Sequence, residues 1–330
     1  MSVYPRMRIF VVTAALILVA LLAFSFLFPL PVSLLLRGMF RNGVAVAPDN
    51  YAAIKQQVTV VQDAIYTSDY RDNSADIYFP KNADESYPVV LWVHGGAFVG
   101  GDKQDVALYA TALAQSGFAV VCMNYQRAPE AKYPVPVIQV GEVYRWLCDI
   151  AAQYPLDMTS LTLAGDSAGA HIVAQFAVVQ CNQVYADELA MAQIVPRSAL
   201  KSVLLFCGPF DVEKIGTSSH PLINFFMNRA AWSYFGSKNW AEKFSSQATI
   251  ANYITADFPP TFLSDGNTGS FEVHARDLAE VLQKHNVPVE TYFTSSKNEE
   301  TPHEYQFIMN TPAGKESFQK VLVFLKQYAH

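Results

Sequence analysis

The chain has 330 residues, enough for one large α/β domain with an appendage. Its 29 acidic against 23 basic residues give a net charge of −6, and no Lys/Arg run with interleaved aromatics occurs, so a nucleic-acid partner is excluded. No phosphate-binding G-x-x-x-x-G-K-[ST] loop and no Cys/His cluster with metal-ligand spacing is present, so neither cofactor nor metal is implied, and the four cysteines are spaced as small apolar residues rather than as a disulfide framework.

Hydrophobic residues make up 51% of the chain, and the N-terminus holds part of that excess. Residues 9–28 carry no charge and are almost all Val, Ile, Leu, Ala and Phe. At about 1.5 Å per residue this run spans about 30 Å, one hydrocarbon core. A secretory signal would have a shorter apolar stretch and a small-residue cleavage site directly after it. Phe26-Leu27-Phe28-Pro29 offers none, and Ala45-Val46-Ala47 lies too far downstream. The expectation is a retained single-pass membrane anchor. Arg6 and Arg8 on one side are balanced by Arg37 and Arg41 on the other, so the charge rule gives no orientation.

Residues 37–57 read as a connector. Two strand-like runs follow, Val58 to Thr67 and Ala75 to Phe79, with a charged turn between them. Strands over 88–93, 118–124, 161–165 and 202–207 then alternate with helical patterns over 104–116, 136–152 and 168–181. Strands over 261–265 and 289–293, a helix over 272–285 between them and a last helix over 315–328 complete the chain. This alternation predicts an α/β domain over 58–330, with a mostly parallel sheet of about eight strands and helices on both faces. Residues 211–258 break the rhythm: they are rich in aromatics (Phe225, Phe226, Trp232, Tyr234, Phe235, Trp240) and have no strand pattern. They are expected to form an insertion that covers the site, packs its aromatics on the core, or does both.

Two motifs carry chemistry. Gly165-Asp166-Ser167-Ala168-Gly169 stands between the apolar run ending at Ala164 and a helical stretch. A serine with glycines two places either side at a strand-to-helix junction is a nucleophile elbow, because the sharp turn brings neighbouring backbone too close for side chains. Upstream, His94-Gly95-Gly96-Ala97-Phe98 follows the strand ending at Val93. A glycine-rich loop there presents backbone N–H groups to a developing oxyanion, from Gly95 or Gly96, joined by the N–H of Ala168.

With these motifs the chain resembles the hormone-sensitive-lipase-like branch of the α/β-hydrolases, close to bacterial carboxylesterases. The resemblance covers roughly residues 60–330. Asn124-Tyr125-Gln126-Arg127-Ala128-Pro129-Glu130, then Tyr133-Pro134, is similar to that family's D-Y-R-L-A-P-E…F-P segment, and Leu156-Asp157 matches its approach to the nucleophile strand. The resemblance implies an α/β-hydrolase fold with a lid insertion and no cofactor.

A serine hydroxyl needs a base to take its proton, and the base needs a group that fixes its tautomer. Chain order in this fold is serine, acid, histidine. His303, in a loop about ten residues past the last strand, resembles the family's histidine. The acid is less defined. Counting back from the following helix puts Asn267 or Gly269 at the family's position; Asp265, at the strand end, is the nearest carboxylate, and Glu272 the next. Asp265 is the expected acid, with Glu272 or no carboxylate as alternatives. Asp166 is expected to be structural.

The resulting expectation is a serine hydrolase cleaving esters with short-to-medium acyl chains through an acyl-enzyme on Ser167. The alternatives are an amide, formamide or peptide hydrolase on the same machinery and a non-catalytic small-ligand binder.

Overall fold

A computed structural model describes residues 4–81, 85–218 and 220–329. Two helices, α1 (Tyr4–Leu27) and α2 (Leu30–Met39), come first, followed by the short α3 (Tyr51–Lys55). The strands are β1 (Val58–Ile65), β2 (Ser74–Pro80), β3 (Tyr87–Val93), β4 (Ala119–Met123), β5 (Leu156–Asp166), β6 (Leu200–Phe206), β7 (Thr261–Asp265) and β8 (Val289–Phe293). Between and after them lie α4 (Ala107–Gln115), α5 (Val135–Ile150), α6 (Ala168–Cys181), α7 (Gln183–Glu188), α8 (Pro221–Phe235), α9 (Trp240–Ala248), α10 (Glu272–Lys284) and α11 (Pro312–Tyr328).

The eight strands form one sheet in the order β1-β2-β4-β3-β5-β6-β7-β8. β1–β2 and β2–β4 pair antiparallel, and every later pairing is parallel. Strand alternation divides the core in two. Val89, Leu91 and Val93 of β3 join the apolar layer on one face, while Val90 and Trp92 join the layer on the other. Both faces are therefore buried, as the near-continuous apolar runs of the central strands require. The mostly parallel sheet is the one the alternation predicts, and the fold is the α/β-hydrolase fold that the resemblance implies.

β5 is central and α6 follows it without a linker. α6 is buried along almost its whole length, from Ala168 to Gln180, so the small and apolar residues on all its sides match its surroundings. This places the strand end carrying Ser167 in the buried centre of the sheet.

Residues 211–258 contain α8 and α9 and no strand among the described residues, and they lie between β6 and β7 on the side of the strand ends. Their aromatics pack on the core and on one another. Tyr234 stacks on Phe98 at 3.9 Å, and Phe235 stacks on Trp240 at 5.8 Å.

Helical structure precedes the 37–57 stretch read as a connector and runs into it. The apolar residues running on to Leu36 form α2, which turns back against α8, with Ser33 Oγ donating to Ser233 Oγ at 2.9 Å in a buried contact. Arg37 is not a free flanking charge. Its Nε donates to the Val99 carbonyl at 2.7 Å, one Nη donates to Ala128 O at 2.8 Å, and the guanidinium pairs with Glu130. It ties the N-terminal segment to the glycine loop after β3. All four cysteines are free; Cys122 and Cys207 are buried as expected, whereas Cys148 is exposed on α5.

Candidate active site

Ser167 sits at the turn from β5 into α6 with φ 50° and ψ −120°, a conformation that strains any residue with a side chain. The turn is possible because its flanks are bare. A Cβ on Gly165 would lie 2.6 Å from the backbone of Gly169, and one on Gly169 would run into the carbonyl oxygens of Val93 and His94. The motif thus exists because β3, β5 and α6 meet there backbone to backbone.

His303 reaches the serine from the loop after β8, its Nε2 2.9 Å from Ser167 Oγ. A base at this distance accepts the hydroxyl proton on Nε2, which places the imidazole's own proton on Nδ1. Nδ1 lies 2.7 Å from Ser270 Oγ, and the Ser270 hydroxyl in turn donates to Asp265 Oδ1. Asp265, the expected acid, therefore reaches the ring through the Ser270 hydroxyl. Asp265 ends β7 inside the sheet layer, fully buried, and the Ser270 hydroxyl fills the space between carboxylate and ring. The alternatives are placed elsewhere. Asn267 donates to Thr294 Oγ1 and to the Glu299 carbonyl, tying the β7 and β8 loops together. Glu272 pairs with Arg276 one turn along α10 at 2.8 Å.

Burial sets the electrostatics. It pushes the His303 imidazole down to about 4, so the ring is neutral and able to accept a proton over the physiological range. It pushes the Asp265 carboxyl up to about 7, against the pull of the Ser270 hydroxyl. Asp265 Oδ2 is buried with no hydrogen-bond partner. Cys207 Sγ, an Asp265 oxygen and a His303 ring nitrogen lie within 4.8 Å of one another, a spacing within reach of a metal ion. Burial holds that thiol well above its usual range, and Ser270 occupies His303 Nδ1, so this donor set suits a hydrogen-bonded relay better than a cation.

Asp166, beside Ser167, organises the loop opposite. It accepts from Trp92 Nε1 at 2.7 Å and from the Gly95 N–H at 2.8 Å. The expected oxyanion donors therefore divide. Asp166 already occupies the Gly95 amide, because a carboxylate buried beside β3 requires donors. The amides of Gly96, Ala97 and Ala168 border the cavity, and among the described residues no hydrogen bond occupies them. Gly96, Ala97 and Phe98 all have positive φ (106°, 51° and 64°), a turn that lets consecutive N–H groups converge. Glu304, next to the histidine, completes this corner with Oε1 3.8 Å from His303 Nε2. Burial and the neighbouring Asp166 push its carboxyl well up, so it faces Asp166 in the neutral form.

These groups line one cavity of about 740 Å³. Its floor is Ser167 and His303, and its walls come from three parts of the chain: Met39 and Phe40 at the end of α2, Ile223 and Met227 of α8, and Phe271 at the start of α10. Ser270 and Glu304 carried no motif in the sequence. The available signal was positional: Ser270 adjoins Gly269, one of the two places to which counting back from α10 pointed.

An α/β-hydrolase fold with a strained serine at the end of its central strand defines the class. Within it the chain belongs to the BD-FAE family, whose pattern matches residues 75–275. Among curated proteins it is similar to isoprenylcysteine alpha-carbonyl methylesterase ICME of Arabidopsis thaliana, 26% identical over 217 residues that make up 63% of this chain and 48% of that one. It is also similar to kynurenine formamidase of Danio rerio, 28% identical over 140 residues, 42% and 43% of the two chains. The chain spans about half the length, or less, of the curated relatives it matches. Among solved structures, an inhibited esterase B from Lactobacillus rhamnosis superposes with a TM-score of 0.76 at 19% identity, covering 93% of this chain and 96% of the other. A bacterial heroin esterase superposes with a TM-score of 0.68 at 18% identity, covering 89% and 97%.

Proposed function

We propose that the protein hydrolyses carboxylic esters through an acyl-enzyme on Ser167, with residues 58–330 as the hydrolase domain, 211–258 as its lid and 9–28 as a single-pass membrane anchor. The observation that carries the reading is the 2.9 Å approach of His303 Nε2 to a serine held in a strained elbow. Ser167 Oγ attacks the acyl carbon while its proton passes to Nε2. The carbonyl electrons move onto oxygen, where the amides of Ala168, Gly96 and Ala97 receive the charge. Collapse of the tetrahedral intermediate breaks the bond to the alcohol oxygen, which leaves with the proton from His303. Water, deprotonated by the same nitrogen, then releases the acid and restores Ser167. Through both steps Nδ1–H stays on Ser270, and Asp265 behind it opposes the positive charge of the imidazolium.

The names of the curated relatives and of the superposed enzymes support an ester as the scissile bond. A formamide is the second reading, favoured by the formamidase among the relatives. Purified protein offered p-nitrophenyl butyrate and an N-formyl aniline tests both. Ester turnover that saturates and disappears with Ser167→Ala is the expected result. Turnover of the formamide alone would replace the first reading with the second. For the anchor, retention in the membrane fraction through a carbonate wash is expected, and release would contradict it.

A further inference from the structure

The cavity mouth, the lid and the N-terminal helices share one apolar surface. Met39, Val44, Ile223 and Val273 line the cavity and are also exposed at its rim. Around them the exposure continues. On α2 the inward residues are Val32, Ser33 and Leu36, whereas Leu30, Leu34 and Leu35 point outward. At the first turn of α8, Leu222 is 67% exposed. A soluble surface seldom gathers so many large apolar side chains around one opening.

The position of this surface relative to α1 identifies what covers it. The apolar span Met7–Leu27 is long enough to cross a bilayer, and its last turn is seated on the lid. Arg229 Nε of α8 donates to the Ser25 carbonyl at 2.8 Å, and the Phe26 and Phe225 rings pack 5.8 Å apart. The Arg229 guanidinium also lies over Phe225 at 4.8 Å and Trp232 at 5.5 Å, an Arg–aromatic grouping suited to the headgroup level. Ser25 and Phe26 lie inside the span, so α8 is held at the depth where the span leaves the hydrocarbon. Ile223 and Met227, within one turn of Phe225 and Phe226 along α8, put the cavity mouth at that same depth.

The geometry points to a lipid-leaflet entrance: the outward face of α2 and the first turn of α8 rest in the leaflet that holds α1, and the substrate is an amphiphilic ester reaching Ser167 from that leaflet. This inference rests on the hydrolase and anchor readings above and adds the substrate class and its route. A molecule with an apolar chain in the hydrocarbon and its ester near the headgroups would slide its chain past Met39 and Ile223 without crossing water, so little desolvation opposes entry.

Full-length protein in phosphatidylcholine vesicles tests it, as wild type and as Leu34→Glu/Leu35→Glu and Leu222→Glu variants. The substrates are water-soluble p-nitrophenyl butyrate and p-nitrophenyl laurate dissolved in the same vesicles. Vesicle flotation is expected to show every variant still held through α1. Butyrate hydrolysis should stay within about twofold of wild type, since surface changes away from the machinery are small, while laurate hydrolysis should fall by about tenfold or more as the apolar contact is lost. Equal laurate rates in wild type and variants would overturn the leaflet entrance, and so would an equal loss on both esters. A wild type inert toward butyrate as well as laurate would overturn the hydrolase reading itself, and this one with it.

Discussion

Ser167 is placed by backbone and His303 by side chains, and the two halves of the site behave differently as a result. On the serine side, β3, β5 and α6 approach so closely that residues 165 and 169 cannot carry a Cβ, and the strained φ of Ser167 is held by buried structure all round. On the histidine side, the ring stands on a loop and is oriented by a hydroxyl from a second loop, which is oriented in turn by a carboxylate at a strand end. Backbone crowding leaves a fixed residue pattern. A chain of hydroxyl and carboxyl groups can be assembled from several positions, and here it is assembled with one more member than a direct triad has.

The largest effect expected is on the serine side. Ser167→Ala should lower kcat on a p-nitrophenyl ester by about 10⁶-fold, the scale seen when a serine nucleophile is removed, with circular dichroism unchanged. Retention of a few per cent of activity would break the assignment.

Next comes the relay. Ser270→Ala should cost between about 10² and 10⁴ in kcat, the range for losing the group that fixes a catalytic imidazole, and Ser270→Thr should restore most of it because the hydroxyl returns. Asp265 gives the relay a pH signature. With its carboxyl raised to about 7, the charge behind Ser270 is present above that pH and absent below. The kcat/KM profile should therefore rise with a midpoint near about 7, and the Asp265→Asn profile should lack that limb and meet the wild-type curve on the acid side. A wild-type limb near about 4, where His303 itself titrates, would remove Asp265 from the relay.

Asp265 also ties the relay to stability. Its folded value lies above the ordinary 3.8, so the native state keeps a proton that the unfolded chain releases, and stability is lost as pH rises from about 4 through about 7. Asp265→Asn removes that loss. Its thermal midpoint relative to wild type should increase from pH 4 to pH 8, and a difference independent of pH would contradict the raised value.

The smallest effect is expected at Glu272. Its carboxylate pairs with Arg276 at the start of α10, so Glu272→Gln should change kcat by about twofold or less, as for an exposed ion pair.

The same contrast explains what could be read in the sequence. The alternation of apolar runs and helical patterns located every strand of the sheet, and the two glycine motifs located the elbow and the loop facing it, because steric exclusion of side chains is visible in residue type. The Gly95 amide was beyond reach, since its bond to Asp166 depends on where a buried carboxylate turns. Ser270 was beyond reach for a related reason: any hydroxyl between β7 and α10 could have filled the gap, and only the course of the loop selects one. Arg37 reads in the sequence as a flanking charge after an apolar stretch, and its bonds to Val99 and Ala128 depend on α2 folding back against α8.

Labelling of the full-length protein with a fluorophosphonate, followed by peptide mass spectrometry, tests the central claim most directly. Ser167 activated by His303 should carry the adduct, with labelling lost in a His303→Ala variant and slowed in Ser270→Ala. An unmodified Ser167 in the folded wild type, or an adduct on a different serine, would contradict the account.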